Sequence, residues 1–73
     1  MGIAQSASLS KDEKLRRAET QWLGKPFPKN VDRTKMRAVE IDGQAGDLRE
    51  DLQPERINVS LRNGIITKID GFY

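Results

Sequence analysis

The chain has 73 residues, of which 36% are apolar and 33% charged, and thirteen Lys and Arg against eleven Asp and Glu leave a net charge of +2. A chain of that length holds one domain with a small core and a heavily charged surface. Cysteine and histidine are both absent, which excludes disulfides, the usual zinc and haem ligand sets, and catalysis by a Cys or His side chain.

Residues 1–9, MGIAQSASL, are small and polar without a period and read as a flexible tail ahead of a single domain over 10–73. Their first six residues fit the loose pattern for N-myristoylation at Gly2, a match that chance also produces. A membrane partner is expected only if Gly2 is acylated, since no hydrophobic run reaches spanning length. The N-terminus lacks the apolar centre of a secretory signal, and the lack of cysteine fits a reducing compartment, so a cytoplasmic location is expected. Basic and acidic residues are interspersed. The cluster Lys11, Lys14, Arg16 and Arg17 is broken by Asp12 and Glu13 and reads as a solvated helix face, with no nucleic-acid partner.

Ser10-Lys-Asp-Glu13 is a capping box, and Leu15, Ala18 and Trp22 fall on one stripe. A helix over about 11–23 is predicted, packing through Leu15, Trp22 and Leu23 and stopped by Gly24 and Pro26. The single Trp suits a core role, with an exposed anchor as the alternative. Residues 25–34 form a connection with two prolines. Residues 35–42 alternate as a strand, with Met36, Ala38 and Glu40 on one side and Arg37, Val39 and Ile41 on the other; which side is buried stays open. Residues 43–54 carry two glycines, a proline and four charged side chains, and read as a long loop of the kind that is either functional or disordered.

Residues 55–70 are the most regular stretch. Ile57, Val59 and Leu61 share one face of a strand, and Ile65, Thr67 and Ile69 one face of the next. A two-residue Asn63-Gly64 turn would leave Ile65 and Ile69 on the wrong side. The alternation therefore predicts a three-residue turn, Arg62-Asn63-Gly64, that pairs Leu61 with Ile65 and Ile57 with Ile69. Arg56 and Asn58 then face away from the core, where a guanidinium and an amide could grip the carbonyls and carboxylates of the preceding loop.

Glu55-Arg56-Ile57-Asn58-Val59 and Gly64-Ile65-Ile66-Thr67, with Leu23-Gly24-Lys25 after Trp22, resemble the potato inhibitor I-type serine protease inhibitors, closest to the branch that includes fungal elastase inhibitors. The likeness covers about residues 22–71 and is most specific over 53–69. It implies an α+β fold: one N-terminal helix on a small mixed three-stranded sheet, with a long exposed loop between the two parallel strands. It also implies that a monomer presents Asp47, Leu48, Arg49, Glu50, Asp51 and Leu52 as a rigid substrate mimic to a serine protease of subtilisin or chymotrypsin type. Glu50 would be the specificity residue, and Arg56 with Asn58 the loop support. Three positions depart from the family pattern. Arg49 stands where a threonine is common and would sit near Arg56 with like charge, Asp47 stands where subtilisins favour an apolar side chain, and Glu50 suits only a protease that accepts an acidic residue. The alternatives are a non-inhibitory interaction module of the same fold and, more remotely, a cation-binding acidic loop through Asp47, Glu50 and Asp51. Neither an enzymatic activity nor a cofactor or metal is expected.

Overall fold

The computed structural model describes residues 10–73; the tail 1–9 and the lipidation pattern at Gly2 lie outside them. Helix α1 runs Lys11–Trp22 and is followed by strands β1 (Met36–Ile41), β2 (Gln44–Ala45), β3 (Ile57–Arg62) and β4 (Ile65–Phe72). The sheet order is β2-β1-β3-β4. β1 and β3 are parallel, while β1–β2 and β3–β4 are antiparallel. The α+β class and the N-terminal helix are as expected, and the mixed sheet with the loop between its parallel strands is as the resemblance implies. The strand number is four rather than three.

The helix starts where its cap dictates: Ser10 Oγ accepts from the Glu13 amide at 3.2 Å, one half of a capping box, with Asp12 and Glu13 in the first turn beside the positive end of the dipole. It ends at Trp22, one residue before the predicted end. Leu23 takes an extended conformation (φ −62°, ψ 132°), which turns its side chain out of the apolar stripe, and it is exposed rather than packed. Ala18, Leu15 and Trp22 face the sheet, where they meet Ala38, Val59, Leu61, Ile66 and Ile69, with Phe27, Ile57 and Phe72 at the margin. The side of β1 that packs toward the helix is therefore the one bearing Ala38, while Arg37 on the other side is buried as well.

Two strand pairings differ from the sequence reading. The β3–β4 turn is the two-residue one: Arg62 faces Ile65 across Asn63 and Gly64, whose φ values of 54° and 79° fit the mirror-image turn that suits twisted strands. The expected mispairing is cured by a bulge. Leu61 faces Ile66 and Ser60 faces Lys68, so Thr67 has no partner, and from there Val59 meets Ile69. Ile66 and Ile69 are buried, whereas Ile65 is half-buried beside Pro26, which bridges to it. The second difference is β2. Asp42 and Gly43, with φ of 50° and 84°, make another tight turn, so residues 44 and 45 return along β1 and the irregular segment begins only at Gly46. The two turns are tied together, because the Asp42 carboxylate accepts from the Asn63 amide at 2.8 Å.

Gly46 launches the loop. Its amide donates to Val39 O at 2.9 Å and the next amide, of Asp47, to Ala38 O at 2.8 Å, at the point where β1 bulges between Ala38 and Glu40. A Cβ at position 46 would collide with the Ala38 carbonyl. Gly46→Ala is therefore expected to push the loop off β1 and to lower stability by about 1–3 kcal/mol, read by thermal melting. A melt equal to that of the parent chain would contradict this packing.

Candidate functional site

The site is built on the sheet face opposite the helix. Because β1 and β3 are parallel and in register, Arg37 stands beside Asn58, while their neighbours Ala38 and Val59 point into the core. Arg37, Arg56 and Asn58 are all buried, Arg56 being 1% exposed. Burying two guanidiniums requires partners for their donors, and every buried side-chain nitrogen and oxygen among the described residues has one.

Arg56 carries the largest share. Its Nη2 donates to the Asp51 carbonyl at 2.6 Å and to Asp51 Oδ1 at 3.2 Å, and Nη1 reaches Asp51 Oδ2 at 3.4 Å, so the fork grips both the backbone and the carboxylate of one loop residue. Nη1 also donates to Arg33 O at 3.2 Å and Nε to the main-chain oxygen of Tyr73 at 3.0 Å. The same guanidinium thus joins the loop, the connection before β1 and the end of the sheet. Asn58 donates through Nδ2 to Gly71 O at 3.0 Å and accepts from Arg37 Nε through Oδ1. It therefore orients other groups and makes no hydrogen bond to the loop itself.

The loop residues fall into two sets. Asp47, Arg49 and Asp51 are engaged. Asp47 lies 3.7 Å from Arg33 and 3.8 Å from Arg49; the Arg49 carbonyl accepts from Arg37 Nη1 at 2.9 Å; Asp51 meets Arg56. Leu48, Glu50 and Leu52 project outward, the two leucines 57% and 82% exposed. The Arg49 side chain, 62% exposed, pairs with Asp47, and its carbonyl is what meets the scaffold, at Arg37. The three acidic side chains do not converge: Asp47 and Asp51 face different arginines, and no group of three His, Cys, Asp or Glu suited to a metal ion occurs among the described residues.

Arg37 is the buried side chain at this site that the sequence reading did not single out. The alternation of β1 placed it opposite Ala38 but did not say which side was covered. The available signal was its position across from Asn58 once the strands are set parallel.

The hydrogen bond and charge of Arg56 hold the Asp51 carboxyl below its ordinary value of 3.8, against a smaller opposing effect of burial. A carboxyl depressed by folding contributes stability that is complete above its unfolded value and is lost as pH falls through the folded one. The difference in melting temperature between the parent chain and Asp51→Asn is therefore expected to be constant above about pH 5 and to shrink below about pH 4. A difference independent of pH between 3 and 6 (roughly the window in which carboxyls titrate) would show that the pair contributes nothing.

Comparison with protein-family models, with curated proteins and with solved structures finds no match. Among the described residues, no helix is long and apolar enough to cross a membrane.

Proposed function

We propose that the chain is a serine protease inhibitor that presents residues 47–52 as a substrate-like loop to an enzyme of subtilisin or chymotrypsin type, one monomer to one protease. The observation that carries this reading is the direction of the hydrogen bonds from buried side chains: Arg56 and Arg37 donate from beneath to the carbonyls of Asp51 and Arg49, while Leu48, Glu50 and Leu52 are left facing solvent. A loop already fixed in this way loses little conformational freedom on entering an active site, where ordering a free segment costs about 1–2 kcal/mol per residue. Glu50 at the centre selects a protease whose specificity pocket neutralises a carboxylate, since an apolar pocket would bury that charge unpaired.

The test is an inhibition panel of subtilisin-, elastase-, trypsin- and glutamyl-specific serine proteases at stoichiometric inhibitor. Block of the glutamyl-specific enzyme, with weak effects on the others, is the expected pattern. Full activity of all four would remove the proposal. That outcome would favour the second reading, a non-inhibitory interaction module, for which the exposed Leu48 and Leu52 are the specific support.

A further inference from the structure

We infer that Arg37 is a second positioning residue of the loop, acting before the Glu50–Asp51 peptide bond while Arg56 acts after it. The inference rests on the inhibitory reading of this loop. Position 49 is an arginine whose guanidinium lies 3.8 Å from Asp47, on the outer side. The backbone of that residue is nonetheless held, by Arg37 Nη1 at 2.9 Å, from a strand that precedes the loop rather than follows it.

The Arg37 guanidinium is aimed from two further sides. Nε donates to Asn58 Oδ1, and Cζ lies 5.2 Å from the centre of the Tyr73 ring, within the range of a cation–π contact. A planar fork fixed at Nε and stacked on a ring has one direction left for Nη1, and the Arg49 carbonyl lies there. Both sides of the 50–51 bond are then anchored to the same sheet, through residue 49 by Arg37 and through residue 51 by Arg56. In a protease complex the attacking serine oxygen would displace the Asp51 nitrogen and form an ester at Glu50. With Asp51 still held by Arg56, its amine attacks that ester carbonyl, re-forms the C–N bond and returns a proton to the departing serine oxygen. The anchor on residue 49 keeps the acyl carbon in line for that reversal.

The test is made on the free chain by nitrogen-15 relaxation, so that a failed inhibition panel and a failed clamp are separate results. Order parameters of about 0.8 are expected throughout 47–53 in the parent chain. Arg37→Lys, which keeps the charge but not the fork, is expected to lower 48–50 to about 0.6 or below and to leave 51–53 little changed, whereas Arg56→Lys should show the reverse asymmetry. Tyr73→Leu keeps apolar bulk on an exposed residue and is expected to reproduce the Arg37→Lys pattern in part, with Tyr73→Phe restoring the parent values. If Arg37→Lys fails to fold, the Tyr73 pair decides. No loss at 48–50, or equal loss on both sides of the bond, overturns the assignment.

Discussion

If the chain is the inhibitor proposed, replacing Arg56 with alanine is expected to abolish tight inhibition and to convert the loop into an ordinary cleavage site. The guanidinium makes five hydrogen bonds, three of them to Asp51, one to the Arg33 carbonyl and one to the main-chain oxygen of Tyr73. Hydrogen bonds from a charged donor contribute about 1.5–3 kcal/mol each, and they are not additive on one group. Loss of the Asp51 grip alone is expected to weaken inhibition by about 2–4 kcal/mol, or roughly 30- to 1,000-fold. Two of the five bonds go to segments outside the loop, so the effect is not confined to it. From the sequence, Arg56 lies off the core face and its removal should loosen the loop more than the fold. In the structure it is less accessible than most of the core, and a stability loss of about 2–4 kcal/mol is expected beside any loss of inhibition. Inhibition assays and thermal melts read the two effects separately. A variant that inhibits as well as its parent would show that the loop is shaped by something other than this side chain.

Ile66→Ala is expected to cost about 2–5 kcal/mol, because Ile66 is fully buried in the core between the sheet and the helix and a truncation there leaves a cavity that close-packed neighbours fill poorly. Ile65→Ala is expected to cost no more than about half of that, since the side chain is half-buried at the sheet margin beside Pro26. The pair discriminates between the two hairpin registers. With the three-residue turn, Ile65 would be the core residue and Ile66 the exposed one, and the ranking of the two melts would reverse.

That hairpin shows where the sequence stops being legible. The presence of two strands, the turn between them and the core roles of Val59, Leu61 and Ile69 follow from alternation alone. The register does not, because two adjacent isoleucines fit either turn and the deciding feature, the bulge at Thr67, leaves no trace in an apolar pattern. β2 is hidden for a related reason. It is two exposed residues long, with no apolar alternation, and only the Asp42-Gly43 pair marks its turn. The helix start is written locally in Ser10 and Glu13; its end is less so, since Leu23 continues the apolar composition but not the helical backbone.

For the site, the side of the strand that carries Arg56 and Asn58 could be read from their neighbours Ile57 and Val59. Arg37 could not, because its role depends on the parallel register that sets it beside Asn58 and on the Tyr73 ring 36 positions later. Burial of Arg37, Arg56 and Asn58 is a tertiary fact: the loop and the end of β4 supply the carbonyls that make it possible.

The most direct test of the central claim, that these carbonyls are held so that the loop is gripped rather than consumed, is a time course of the Glu50–Asp51 bond. A stoichiometric amount of a glutamyl-specific serine protease is added, and intact and cut chains are followed by mass spectrometry alongside residual protease activity. The proposed function predicts suppressed activity and slow cutting that levels off with intact chain still present. Rapid, complete scission, with dissociated fragments and a fully active protease, would contradict it.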